Sequence, residues 1–137
     1  MVAVKRIIVG TLGILLLGFM IFIVVPFYRG MIGRHNEGET RGNLGSIRSA
    51  LSLYHDEMHG QYPSDLAALT VGGKYLTDIP NAKGSSHHSD SSAVRLGTNP
   101  DDAGGWLYDN VKGDANFGSV RVNCTHTDSR GRSWTSY

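Results

Sequence analysis

The chain has 137 residues, with 13 Lys or Arg and 12 Asp or Glu, and a formal net charge of +1 at pH 7. This near balance excludes a strongly basic surface for nucleic acid, so no nucleic-acid partner is expected. The single cysteine, Cys124, excludes an internal disulfide and any multi-cysteine metal or redox motif, and it is expected to be a small buried side chain.

The first predicted element is a membrane-spanning helix. The run from Ile7 to Val25 carries no charge, and as a helix it covers about 28 Å, close to the hydrocarbon thickness of a bilayer. It is longer than the apolar core of a secretory signal and no small-residue cleavage site follows it, so the segment is expected to be retained. We therefore predict a single-pass transmembrane segment over residues 1–30, although basic residues on both sides leave its orientation open.

The helix is expected to continue beyond Pro26 into a soluble, amphipathic half. Proline lacks an amide hydrogen and favours a kink, which a membrane helix tolerates. Apolar residues then recur at spacings of three and four, which is typical of a helix with one buried face: Leu44, Ile47, Leu51, Tyr54 and Met58. We predict a helix from about residue 5 to about residue 59, ended by Gly60 at the C′ position.

Five glycines interrupt this predicted helix: Gly30, Gly33, Gly38, Gly42 and Gly45. Each lowers helix stability by up to about 1 kcal/mol relative to alanine. Two interpretations remain open, close packing of neighbouring helices or a segment that extends under load. Both indicate assembly rather than catalysis.

A small sheet is predicted after the helix. Ser64 is expected to cap a short element over residues 65–69, and residues 82–103 are polar enough to predict an exposed loop. The segments 104–109 and 119–124 alternate with period two around a turn-prone stretch, which predicts an antiparallel hairpin.

The remaining tail is expected to turn at residues 128–131 and then to form an edge strand up to Tyr137. Together these elements predict an α+β fold, in which a head over residues 31–137 packs an antiparallel sheet on the soluble half of the helix. The hairpin and tail aromatics are expected in its core: Trp106, Tyr108 and Trp134.

No motif indicates an enzyme. His55 and His59 have the spacing of two zinc ligands on a helix, but the glutamate of a metalloprotease motif would have to follow the first histidine directly, where Asp56 stands. His87 and His88 lie in the polar loop and are expected at its surface.

Aspartates recur in the loops around the hairpin. Carboxylates on irregular loops are ligands that Ca²⁺ takes, although no EF-hand spacing is present and ordinary turn residues are the alternative. The hypothesis of a calcium site uses four of them: Asp101, Asp102, Asp114 and Asp128; Asp90 lies in the same region.

The chain as a whole resembles a type IV pilin or a major pseudopilin of type II secretion. The resemblance rests on Pro26 in the apolar run, on the helix leading into QYPSDLAAL with YLTDIP, and on DDAGGWLYDN followed by VRVNCTHTDSRGRSWTSY. It implies a structural filament subunit that polymerises with copies of itself and works with inner-membrane pilus or secretion machinery. It also implies a head in the periplasm and stabilisation of the head by Ca²⁺.

The resemblance further implies that the N-terminal helix surface contacts lipid before assembly and neighbouring subunits afterwards, through Ile7, Leu15, Phe19, Phe22 and Pro26. One feature departs from the pattern. In such proteins a glutamate follows shortly after the mature start, whereas the matching position here is near Val9 and no acidic residue precedes Glu37. The alternative is therefore a membrane-anchored scaffold or binding protein derived from a pilin that does not polymerise.

Overall fold

The computed structural model describes residues 2–83 and 87–137, apart from the side chains of Val2, Ala3 and Ile7. Its elements are a long helix α1 (Val2–Glu57), strands β1 (Val94–Leu96), β2 (Trp106–Tyr108) and β3 (Val120–Val122), and two 3₁₀ helices (Leu66–Gly73 and Trp134–Ser136). A long helix with a small sheet confirms the general α+β class. The chain divides into two compact units, residues up to Arg34 and His35–Tyr137, which are described separately.

The first unit consists of the N-terminal part of α1. The helix contains Pro26, as expected, and its most apolar stretch of 18 residues has a mean hydropathy of 2.9 with no residue buried. By length and composition α1 is the one helix among the described residues that could cross a membrane. The boundary at residue 30 is where the chain is expected to leave the bilayer, and it stays a prediction.

The C-terminal end of α1 differs slightly from the prediction: the helix ends at Glu57 instead of near residue 59, and its C′ position differs by one residue. His59, rather than Gly60, is the first residue with a left-handed backbone (φ 54°), and Gly60 follows at φ 87°. The Gly60 amide donates to the carbonyl of His55 at 2.8 Å, which is the six-to-one bond of a Schellman motif with His59 at C′. Two adjacent left-handed residues therefore end the helix.

The apolar stripe on the second half of α1 is buried in the second unit. Leu44, Ile47 and Leu51 are each at most 3% exposed, and Tyr54 is half-buried against the same core. Met58 is exposed, because it lies beyond the last residue of the helix. The predicted stripe is thus confirmed as far as Tyr54 and wrong at its last member.

The sheet is mixed, and not antiparallel throughout as predicted. β2 and β3 form the expected antiparallel hairpin, with Trp106 opposite Val122. β1 pairs with β2 in parallel, with Val94 opposite Trp106, so the prediction of a loop across residues 82–103 is wrong at residues 94–96. The strand is only three residues long and lies at the edge of the sheet, with Arg95 and Leu96 exposed. It therefore lacks the longer apolar pattern of a buried strand.

The structure also differs from the predicted cap of the second element and from the predicted end of the tail. Asp65, not Ser64, caps the second element, because its side chain accepts the amide of Ala67 at 2.9 Å. The tail makes the expected turn, with the Gly131 amide donating to the carbonyl of Asp128. It then ends in the 3₁₀ helix Trp134–Ser136 instead of an edge strand, after one bridge between Thr127 and Ser133.

Buried aromatic residues hold the sheet against the rest of the second unit. Trp106, Tyr108 and Trp134 all lie in the core. The Trp106 indole donates to the carbonyl of Pro80 at 2.7 Å, and the Tyr108 hydroxyl donates to that of Pro63 at 2.6 Å. Because a buried polar group needs a partner, these bonds fix where the segment over residues 63–80 crosses the sheet.

Candidate functional site

The first candidate site is the apolar surface of the N-terminal part of α1, which we call the anchor surface. Leu15, Phe19 and Phe22 are 69%, 63% and 80% exposed, and Pro26 is exposed as well. The side chain of Ile7, the remaining predicted member, lies outside the described residues. An apolar surface of this extent is far larger than a soluble monomer usually exposes, so lipid or other protein is expected to cover it.

The glycines of α1 are not required by packing within the chain. A Cβ atom built on Gly30, Gly33, Gly38, Gly42 or Gly45 meets nothing within 4 Å. Neither a close approach nor a positive φ explains glycine at these positions. Their effect on the isolated chain is therefore to lower the local stability of the helix.

A network of polar contacts, which we call the tail clamp, joins the tail to α1 within the second unit. Glu37 accepts the amide of Ser129 at 2.6 Å and its hydroxyl at 2.7 Å. Arg41 donates to Asp128 at 2.7 Å, and its guanidinium lies 4.9 Å from the ring centroid of Tyr137. The tail is thus held to the helix by charge-assisted bonds and a cation–π contact.

Asp128 is the centre of the tail clamp. Its buried carboxylate accepts the Tyr137 hydroxyl at 2.5 Å and the main-chain amides of Arg130 and Arg132, both at 2.8 Å. The Tyr137 hydrogen bond, followed by these amides, holds the pKa of Asp128 well below its usual range. The carboxylate is therefore charged and already well supplied with donors.

The other three predicted calcium ligands also have partners within the protein. Asp101 accepts the side-chain amide of Asn123 at 2.7 Å, and this bond lowers its pKa. The main-chain amide of Asn116 does the same for Asp114. Asp102 accepts the amide of Thr125 at 2.7 Å, which lowers its pKa in turn. The calcium hypothesis stays a prediction.

Sequence reasoning missed a group of four side chains, which we call the His/Asp/Cys cluster: His88, Asp102, Cys124 and His126. One donor atom from each lies within 4.8 Å of all the others. His88 is not a surface residue as expected, because its side chain is only 16% exposed. No local motif could have revealed the cluster, since its members come from three separate segments that only the fold brings together.

The geometry within the cluster is close. The Oδ1 atom of Asp102 lies 3.3 Å from His88 Nε2 and 3.3 Å from His126 Nδ1, and the Sγ atom of Cys124 lies 3.6 Å from the same His126 nitrogen. Burial raises the pKa of the Cys124 thiol, as expected for a buried cysteine. The ring of His87 stacks on His126 with centroids 4.0 Å apart.

The two histidines at the end of α1 do not form a pair on one helix face. His59 has left the helix with a positive φ, while His55 packs its ring on Tyr62 with centroids 4.4 Å apart. The helical spacing that resembled a zinc motif is therefore not present in the fold.

Comparison with known proteins returned no match: no family model fits the sequence, and no curated protein or solved structure is similar to the chain.

Proposed function

We propose that this chain is a structural subunit of a filament of the type IV pilus or type II secretion pseudopilus kind. The proposal depends chiefly on one observation. A single helix, Val2–Glu57, carries an exposed apolar part long enough to cross a membrane and a second part whose stripe is buried in a small α+β unit. A membrane anchor and a core element of a soluble head thus belong to one helix.

In this proposal the anchor surface has two successive environments. Before assembly it lies in the inner membrane as a single span, with the head in the periplasm, and lipid covers Leu15, Phe19 and Phe22. In the filament the same side chains contact the helices of neighbouring copies, which hide them from water equally well. The subunit itself performs no chemistry.

The glycines of α1 fit a mechanical role in such a filament. Gly38, Gly42 and Gly45 meet no neighbouring atom, and each makes helix extension less costly than alanine would. Replacing all three by alanine is expected to stabilise the isolated head by about 1 to 3 kcal/mol. If extension is required, the same variant should assemble poorly or break under shear, whereas a Ser49→Ala control in the same helix should not.

A second candidate function is a membrane-anchored scaffold that does not polymerise. It is favoured by the absence of any acidic residue before Glu37, because the resemblance implies that a glutamate near Val9 pairs with the amine of the next subunit. The two candidates share the anchor and the head. They differ only in whether copies assemble.

The deciding experiment is electron microscopy of sheared surface material from cells that make the chain together with its own assembly machinery. Immunogold labelling of fibres and mass mapping of the subunit in them would support the filament proposal. A chain that stays in the membrane fraction and never appears in fibres would contradict it and support the scaffold. A Phe22→Glu variant serves as a control, because a charge at this position of the anchor should weaken both membrane insertion and assembly.

A further inference from the structure

We propose that the His/Asp/Cys cluster is a zinc site that joins three segments of the head. The ligands are His88 before β1, Asp102 between β1 and β2, and Cys124 with His126 after β3. This inference does not depend on the filament proposal, because it concerns only residues of the second unit.

The observed spacings match those between ligands of one tetrahedral zinc ion. With Zn–N and Zn–O bonds of about 2.0 to 2.2 Å and a Zn–S bond of about 2.3 Å, neighbouring nitrogen and oxygen ligands lie about 3.3 to 3.5 Å apart, and nitrogen and sulfur about 3.6 Å. The two nitrogen to oxygen distances in the cluster are both 3.3 Å, and the sulfur to nitrogen distance is 3.6 Å. The widest pair lies within 4.8 Å, so a shift of about 1 Å closes the tetrahedron.

The donor set selects the kind of metal. Two imidazoles, one thiolate and one carboxylate oxygen are typical ligands of Zn²⁺, whereas Ca²⁺ and Mg²⁺ require mainly oxygen. Four ligands from the protein leave no open position, which is the pattern of a structural rather than a catalytic zinc. On binding, Cys124 releases its thiol proton to solvent and both histidines bind as neutral rings.

One feature of the cluster calls for such a ligand. The Nε2 atom of His88 is buried and has no hydrogen-bond partner, although Asp102 lies 3.3 Å away; a buried polar atom in that state requires an explanation.

Neighbouring groups support the ligands. A small cavity of about 20 Å³ lies beside the cluster and is lined by His88 and Cys124, but not by Asp102 or His126. On the outer side, the ring of His87 stacks on His126, and the amide of Thr125 holds the Asp102 carboxylate at 2.7 Å. Partners of this kind orient metal ligands in known sites.

The test uses the full chain in detergent after treatment with a chelator. Titration with Zn²⁺ should give one ion per chain, and an excess of about 100-fold over Kd should raise the Tm of the head by about 10 °C. Millimolar Mg²⁺ should not reproduce this rise in Tm, and neither Mg²⁺ nor Ca²⁺ at millimolar concentration should displace the bound zinc. Co²⁺ in place of Zn²⁺ should give the near-ultraviolet charge-transfer band of a metal–thiolate bond, which Cys124→Ser should abolish.

Single-residue variants distinguish zinc binding at the His/Asp/Cys cluster from zinc binding at other histidines. His88→Ala should weaken zinc binding at least tenfold, while His59→Ala, at the end of α1 and outside the ligand set, should bind within a few-fold of the parent. Circular dichroism without metal checks that each variant folds; should Cys124→Ser not fold, the Co²⁺ spectrum of the parent and His88→Ala decide. The proposal is overturned if the parent takes up no zinc, if the Co²⁺ complex lacks the thiolate band, or if His88→Ala binds like the parent.

Discussion

Leu51 and Leu53 offer a matched test of the proposed core, because they lie two residues apart on α1 in opposite environments. Leu51 is 3% exposed and Leu53 is 56% exposed. Truncating Leu51 to alanine removes three carbon atoms, worth about 2.4 kcal/mol of transfer free energy at about 0.8 kcal/mol each. The cavity left behind adds to this, so we expect a loss of about 3 kcal/mol within a range of about 2 to 5. Leu53→Ala should stay within about 0.5 kcal/mol of the parent.

Tryptophan fluorescence in urea measures this difference in the full chain in detergent. Both tryptophans, Trp106 and Trp134, are buried in the head, so their emission reports the unfolding of that unit. With a slope of about 1.5 kcal/mol per molar, Leu51→Ala should lower the urea midpoint by about 2 M. Equal midpoints for the two variants would refute the burial of the stripe against the sheet.

Two further predictions concern the helix end and the tail clamp. Replacing His59 by glycine should raise the free energy of unfolding by about 1 kcal/mol, because a left-handed backbone is unfavourable for a residue with a Cβ atom but not for glycine. A less stable variant in the same urea titration would contradict this. The pKa of Asp128 is lower folded than unfolded, so its stabilising effect is full above the ordinary carboxyl pKa of about 3.9 and is lost as pH falls through the folded value. The Tm of the parent should therefore fall more steeply below about pH 5 than that of Asp128→Asn, and parallel curves would show that the clamp is not formed.

The elements that could be predicted from the sequence are those with a regular spacing of apolar residues over a short segment. The buried stripe and the β2–β3 hairpin have periods of 3.6 and 2 that are visible within about 15 residues. The predicted C′ position of α1 was wrong by one residue. His59 and Gly60 both adopt a positive φ, and glycine is the residue that sequence reasoning favours at C′.

What could not be predicted depends on contacts between distant segments. β1 is a strand because it pairs in parallel with β2, and nothing in its own three residues reveals that neighbour. Likewise the tail was expected to form an edge strand after its turn, whereas the contacts of the tail clamp hold it against α1. The His/Asp/Cys cluster was missed for the same reason, since its parts share no spacing.

The tail clamp also constrains the order in which the chain acquires its structure during synthesis. Glu37 contacts Ser129, 92 positions later, and Arg41 contacts Asp128, 87 positions later. At about 5 to 20 residues per second, the ribosome needs about 5 to 20 s to make the intervening chain. During that time the apolar stripe of α1 has no sheet to cover it, although the helix itself can form within microseconds. A factor that shields exposed apolar surface would therefore have its longest opportunity to bind at residues 44–54, before the tail clamp closes.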